Sequence, residues 1–327
     1  MDLEYKSGLV SVLIPSYNHE NYVQQTIKSI INQTYKNIEL IVIDDGSKDN
    51  TFQKIIEMKK DCENRFVNFV CETKKNEGTC KTFNKLLSLS KGEYVYIIAS
   101  DDLAKPQAIE KEIEFLNSHK DYSLCVGDND IIDENNTICY WDKERNNVYD
   151  LKDAVFKTNI EFLKNERPSV NFNSSDFGDY GFLNYSNFIP NGYLIRKNIF
   201  EKIGEFTSEA PLEDYWLMLQ ISKFSKMKYL DEPLFSYRWH SSNTIKVSDR
   251  MKQFDEKTRA YEKELIEKYK NDNKITKGFI RFLKYGILYK KIGIPYVFQI
   301  QKFFKDDKRL TVIKLFNIDI FKYLKKR

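Results

Sequence analysis

Four short apolar runs constrain this chain more than any other feature: VSVLIP (10–15), IELIVID (38–44), FVNFVC (66–71) and YVYIIA (94–99), each separated from the next by a segment with helical spacing. Asn21 is placed to cap a helix carrying Val23, Ile27, Ile30 and Ile31, and Asp49 or Asn50 to cap a second through Ile55, Ile56 and Met58. The stretch from Thr79 to Leu89 reads as a third. Strands alternating with helices at this spacing predict right-handed crossovers and an α/β fold with a Rossmann-like, mostly parallel central sheet and helices on both faces. In such sheets ligands sit beyond the carboxyl ends of the strands. The polar residues that follow the runs are therefore expected on one rim: Ser16, Tyr17 and Asn18, then Asp44 and Asp45, then Asp101 and Asp102.

Downstream of Pro106, Ile109, Ile113 and Leu116 mark a helix, and YSLCVGDNDIID (122–133) reads as a strand with a turn. The segment 165–191 is rich in Asn, Ser, Gly and aromatics without periodicity, which predicts a long functional loop. GYLIRKNIFEKIG (192–204) gives a strand with a helical turn and LEDYWLMLQISKF (212–224) a helix. No internal repeat is apparent.

With 327 residues, 41% hydrophobic and 31% charged, the chain suits one large or two fused globular units rather than disorder. Five cysteines without a C-x-x-C pair argue against a disulfide framework or a structural zinc and for the reduced cytoplasm. The first residues lack a basic leader, and no run of 18 apolar residues occurs, so neither export nor a membrane span is expected. From Lys274 onward 15 Lys or Arg face three acids, against a net charge of +4 for the whole chain, which makes the tail a separate electrostatic object.

In VYIIASDDLAKP (95–106) two adjacent carboxylates stand where a buried strand stops. They repel unless solvent or a cation screens them, and Mg²⁺ or Mn²⁺ is the economical partner, taking further ligands from water and a diphosphate. The plain alternative is a solvated turn with Asp capping the next helix. In IDDGSKDNT (43–51) a second acidic turn can accept the imide N–H of a uracil or the hydroxyls of a ribose, or serve as turn and cap, which Gly46 and Ser47 also suit. A phospho-acceptor pocket is a further reading, one that needs a lysine at a later strand end and a shorter chain. No G-x-G-x-x-G follows the first strand and no P-loop motif occurs, so a metal must take over the phosphate work. PLEDYWLML (211–219) sets Glu213 and Asp214 at the start of an amphipathic helix, where acids suit the macrodipole and a general base could also sit. In YRWHSSNTI (237–245) His240 is either structural or, beside Arg238, placed to help hold a diphosphate; His19 and His119 read as surface residues.

Five separated stretches, in order and spacing, then resemble the family 2 glycosyltransferases of the GT-A fold: VSVLIPSYNHENYVQQTIKSIINQTYKNIELIVIDDGSKDNT, NEGTCKTFNKLLSLSKGEYVYIIASDDLAKP, NGYLIRKNIFEKIGEF, LEDYWLML and YRWHSSNTI. The resemblance covers roughly residues 8–245. It implies a nucleotide pocket lined by Pro15, Tyr17, Asn18, Asn76, Gly78 and Asn84, with Asp45 recognising the base; Asp44 and Asp101 are further candidates for binding the nucleotide-sugar. It implies that Asp101 and Asp102 close the metal-binding motif and that Asp214 is the base of an inverting enzyme with Glu213 beside it; apart from the resemblance, His240 is a further candidate metal ligand. Residues 1–105 would form the nucleotide-sugar-binding half, 106–247 the acceptor-binding half, and 248–327 a helical, basic extension. One departure is Ala99, which occupies the first position of a motif that many members write D-x-D-D.

The implied reaction moves a hexose or N-acetylhexosamine from a UDP-sugar donor to a saccharide acceptor, lipid-linked, in bacterial polysaccharide, O-antigen or capsule assembly. Ala99 motivates the alternative of a non-catalytic nucleotide-sugar or glycan-binding protein on the same fold. The basic, aromatic tail suits either an anionic membrane surface, with the protein peripheral on the inner face of the plasma membrane, or a helical subdomain packed on the core. No module accompanies the charge that would bind nucleic acid.

Overall fold

The computed structural model describes residues 5–294, 298–306, 308–316 and 318–326. Residues 1–4 of the leader reading, and 295–297, 307, 317 and 327 of the tail, lie outside the described residues. The first half alternates as its apolar runs predict: β1 (Lys6–Ser16), α1 (Val23–Ile31), β2 (Ile38–Asp44), α2 (Thr51–Glu57), α3 (Lys59–Arg65), β3 (Asn68–Thr73), α4 (Thr79–Leu89) and β4 (Gly92–Ile97). The second half adds β5 (Leu103–Ala104), α5 (Ala108–Ser118), β6 (Tyr122–Ile132), β7 (Ile138–Trp141), β8 (Asn147–Val148), α6 (Asn159–Glu166), α7 (Tyr180–Leu183), β9 (Tyr193–Arg196), α8 (Phe200–Ile203), α9 (Glu213–Phe224) and β10 (Lys226–Arg238).

Both halves share one sheet, in the order β3-β2-β1-β4-β9-β6-β10-β5. Neighbours are parallel except for β9, which runs against β4 and β6, and β5, which runs against β10. The register sets Ser16 opposite Asp44 and Asp44 opposite Thr73, so the carboxyl ends of three strands finish level. Because successive strand residues point to opposite faces, each run feeds two cores. Val12, Leu40 and Val42 pack with α1, α2 and α5 on one side. Leu13, Ile41 and Val95 pack with α4 and α9 on the other.

Three expectations change. Asn21 forms no side-chain cap on α1, and it is Asp49, through the N–H of Thr51 at 3.0 Å, that ties down the start of α2. The segment 165–191 is largely packed: Phe172, Phe177, Tyr180, Phe182 and Phe188 are buried in the core of the second half. Helix α9 is buried on nearly every side from Tyr215 to Lys223 rather than amphipathic, and Lys223 Nζ meets the equally buried Glu262 at 2.8 Å.

The extension begins as expected, with α10 (Ser248–Tyr269) and α11 (Lys277–Tyr285), but is not helical to its end. Strands β11 (Ile287–Ile294), β12 (Phe298–Lys305), β13 (Lys308–Leu315) and β14 (Ile318–Lys326) form a separate antiparallel sheet in sequence order. The reason is a period of two in FQIQKFFK, where Gln299, Gln301 and Phe303 are buried while Ile300, Lys302 and Phe304 are more open. Among the described residues no helix is long and apolar enough to cross a membrane.

Candidate active site

Among the described residues two clefts stand out. The larger, about 1620 Å³, lies between the body and the C-terminal sheet and contains none of the strand-end acids Asp44, Asp45, Asp101 and Asp102. The smaller, about 690 Å³, opens at the carboxyl ends of the strands and is lined by Pro15, Tyr17, Asp45, Asp101, Glu213 and Asp214. Its chemistry makes it the site.

On the β1 and β2 side the rim is built by turns that brace one another. Asn18 adopts a φ of 54°; its N–H donates to Ser47 Oγ at 2.8 Å and its Oδ1 accepts the N–H of Lys48 at 2.8 Å. Gly46 needs its φ of 71°, and a Cβ there would stand 2.8 Å from the Asn76 nitrogen and the Lys74 carbonyl oxygen. Asp44 is buried and accepts from the Ser47 N–H at 3.2 Å, from Thr73 Oγ1 at 2.7 Å and from the Ser47 hydroxyl. Asp44 and Asn18 thus hold the turn together and stand outside the cleft lining, which corrects their expected place in the nucleotide pocket.

Asp45 does face the cleft. Its oxygens accept the N–H groups of Glu77 at 3.1 Å and Gly78 at 3.0 Å, and Lys74 pairs with it. Asn76 and Gly78 line the cleft with it. Asn84 does not: its amide bridges the backbone of Phe206, donating to the carbonyl at 2.8 Å and accepting the N–H at 2.9 Å. It fastens α4 to the loop before α9.

The two aspartates after β4 point different ways. Asp102 Oδ1 accepts the backbone N–H of Arg238 at 2.8 Å, while Arg238 Nε donates to the Asp101 carbonyl at 2.5 Å and its Nη1 to the Asp133 carbonyl at 2.9 Å. Arg238, the neighbour of His240 in the diphosphate reading, is fully buried and clamps the acidic turn to β10. Burial and the charge of Asp101 push the Asp102 carboxyl well up. Both acids border the cleft, so the expected matched pair of ligands becomes one acid tied to the β10 backbone and one set beside the imidazoles.

Asp101 Oδ2 lies 3.1 Å from His240 Nε2 and 3.7 Å from His19 Nε2. Burial alone would raise its pKa, but the His240 hydrogen bond and the two imidazoles leave it below the usual carboxylate range. His240 is buried behind Asp101, its Nδ1 2.8 Å from Ser242 Oγ, and it lies outside the cleft lining. His19 corrects its surface reading: it lines the cleft, with Nδ1 2.7 Å from Ser100 Oγ. Only its position after the β1 turn, in PSYNH, hinted at this. His119 is exposed, as expected.

Across the cleft α9 presents Glu213 and Asp214. Burial, then the neighbouring Asp214, push the Glu213 carboxyl up to about 8. Burial by the cleft walls raises Asp214 as well, although its surface stays open to solvent. Asp214 Oδ1 accepts the N–H of Tyr215 at 2.7 Å, and Asn187 Nδ2 donates to Oδ2 at 3.4 Å. Asn187 belongs to the expected loop, of which residues 186–189 and 191 do line the cleft. The wall also holds Arg145, missed in the sequence, whose guanidinium sits 4.2 Å from the Trp141 ring and 4.0 Å from the Trp239 ring.

The donor set suits a hard divalent ion only in part. One ionised carboxylate with imidazole nitrogens near it is a partial shell, and among the described residues no group of three or more His, Cys, Asp or Glu is arranged to hold a metal. Mg²⁺ and Mn²⁺ sites that take one or two carboxylates and complete themselves with substrate phosphates have this character.

Known proteins share this architecture. The chain is 27% identical over 246 residues to the glycosyltransferase GlyG of Streptococcus pneumoniae, covering 74% of each chain. It is 31% identical over 241 residues to an uncharacterised glycosyltransferase of Haemophilus influenzae, covering 73% of this chain and 68% of that one. It spans only 35% of the length of a Rickettsia felis relative, at 29% identity. In fold it resembles S. aureus TarS 1-349 in complex with UDP-GlcNAc, with TM-score 0.52 and 17% identity over 73% of this chain and 61% of that one. It also resembles the mannosyltransferase PcManGT of Pyrobaculum calidifontis in complex with GDP-Man and Mn²⁺, with TM-score 0.56 and 14% identity over 84% and 68% of the two chains. The fold is that of the GT-A glycosyltransferases. The family model for glycosyl transferase family 2 matches residues 11–204, which contain the strand-end rim and the acidic turn after β4, and the chain belongs to that family of glycosyltransferases.

Proposed function

We propose that this glycosyltransferase moves a hexose or N-acetylhexosamine from a UDP-sugar to a lipid-linked saccharide, with inversion, in surface-polysaccharide assembly such as O-antigen or capsule. One observation carries the reading: Asp45, Asp101 and Asp214, from three separate parts of the chain, open on a single cleft of about 690 Å³. UDP-GlcNAc bound to TarS supports a UDP donor, and the Mn²⁺ with PcManGT supports a divalent ion.

In this reading Pro15, Tyr17, Asn76 and Gly78 border the nucleoside and Asp45 reads the base, with Asn18, Asp44 and Asn84 keeping that rim in shape. Asp101, with His19 and His240 beside it, would hold Mn²⁺ or Mg²⁺, while Asp102 positions Asp101 through Arg238. The ion, when bound, supplies positive charge against the pyrophosphate that departs. Asp214, raised by burial yet accepting a backbone N–H, takes the proton from the acceptor hydroxyl as that oxygen attacks the anomeric carbon from the face opposite the leaving group. Glu213, held at about 8, carries a proton at neutral pH and leaves Asp214 as the acceptor of the second. Residues 186–189, Asn191 and Arg145 line the side from which a saccharide would enter.

Nucleotide release from a panel of UDP- and GDP-sugars, with Mn²⁺, Mg²⁺ or a chelator, tests the reading. Release from a UDP-sugar that needs the metal is the expected result. A donor panel without any metal-dependent turnover would support instead the non-catalytic binder that Ala99 suggests.

A further inference from the structure

The C-terminal sheet is sided. Leu288, Phe303 and Val312 are fully buried and belong to the same core as α9 and the 172–188 segment. On the other face Phe298, Leu315 and Phe321 are exposed. Register sets Phe298, Leu315 and Ile318 side by side, Ile318 also bordering the larger cleft, and Ile300, Ile313 and Phe321 in the next row. Two rows further on stand Phe304, Arg309 and Lys325. The face therefore grades from apolar to basic along the strands. Its apolar end is also a hairpin end: Phe316, at the tip between β13 and β14, is 66% exposed, and the adjacent Ile318 is 67% exposed. Exposed aromatic and branched residues gathered at one end of a sheet mark a surface that is covered in use.

We propose that this outer face docks on an anionic lipid bilayer, with the Leu315–Phe316 hairpin tip entering the apolar boundary and the lysines of the same sheet meeting headgroups. Charge selects this occupant over a second copy of the chain. The paired rows of this face hold Lys302, Arg309 and Lys325 and no carboxylate, whereas Lys291, Lys314 and Lys322 pair with Asp176 and Asp319, so face-to-face pairing of two copies would set like charges together. Edge pairing through β14 would bring Lys322 and Lys325 against their own counterparts, and edge lysines discourage such pairing. A negatively charged bilayer satisfies both ends of the gradient. The surface would serve the lipid-linked acceptor proposed above; it rests on that reading for its purpose, and not for its chemistry.

Sedimentation of the full chain with vesicles of phosphatidylcholine, alone or mixed with phosphatidylglycerol, tests the surface. The expected result is roughly tenfold tighter binding to the mixed vesicles, weakened by added salt. Combined Leu315→Ser, Phe316→Ser and Ile318→Ser should lower that binding roughly tenfold. As a reporter that does not disturb the sheet, Phe316→Trp should shift its emission to the blue on mixed vesicles and be quenched by brominated lipid. Equal binding to both vesicle types, no binding, or an unshifted tryptophan would overturn the proposal. A wild-type dimer that the triple serine variant separates would overturn it in favour of a second copy. Nucleotide release measured on the same samples reads the transferase proposal separately, so either can fail alone.

Discussion

Asp101 and Asp102 follow a buried strand, whereas Glu213 and Asp214 open a helix, and the backbone at each place decides what its two carboxyls can do. After β4 both acids border the cleft, but one side chain turns toward His240 and the other into the Arg238 clamp. At the start of α9 both acids stay in the cleft lining, near the positive end of a helix, and compete with each other for charge. The strand-end pair is thus divided by hydrogen bonding, and the helix pair by burial. In both, one carboxyl is left ready for chemistry and the other is not.

The largest test of that contrast is Asp101→Ala against Asp214→Ala. Each should lower transfer by roughly 10²–10⁴-fold or more. Calorimetry with UDP and Mn²⁺ should show nucleotide binding lost in the first and kept in the second; a Asp214→Ala enzyme that still transfers would remove the assigned base. Next in size, His19→Ala should weaken metal-dependent nucleotide binding roughly tenfold while leaving urea stability within about 0.5 kcal/mol. An unchanged affinity would return His19 to the surface role that its sequence suggested.

Asp102→Ala sharpens the comparison through stability. It leaves the buried N–H of Arg238 without its acceptor, a loss of about 1–3 kcal/mol in a urea titration. Asp102→Asn keeps an acceptor oxygen and should recover most of it. If Asp102→Ala were as stable as the wild type but failed to bind metal, Asp102 would be a ligand and not a brace.

The smallest effect is a slope. Glu213 has a folded pKa of about 8 against an ordinary 4.5, so between those values the folded chain holds a proton that the unfolded chain has released. Stability from this group therefore falls as pH rises through that window and levels above it. Glu213→Gln should flatten the decline in urea midpoint from pH 5 to pH 8; an unchanged slope would mean that Glu213 is ionised like an open carboxylate.

The strand and helix order of the first half was legible because each run carries a local signature: β-branched residues, then polar residues, then helical spacing. The cleft acids Asp45, Asp101 and Asp214 were legible for a related reason, since their places at strand and helix ends follow from that order. The tail misled because lysines scattered among Phe, Ile and Leu suit an amphipathic helix as well as a strand, and only the buried Gln299, Gln301 and Phe303 reveal the period of two. Segment 165–191 is the irregular loop its composition predicts, apart from the end of α6 and the turn of helix at Tyr180–Leu183, but its aromatics without spacing gave no sign that they pack into the core.

By itself the order of residues determined a parallel sheet with acids at its rim, because alternation and strand length are local properties. What each polar group at the rim is bonded to was decided by partners far away in the chain. Arg238 takes up Asp102, Ser47 and Thr73 take up Asp44, and the Phe206 backbone takes up Asn84. A buried carboxyl or amide must find hydrogen bonds wherever folding brings them, and that choice exists only once distant segments have met.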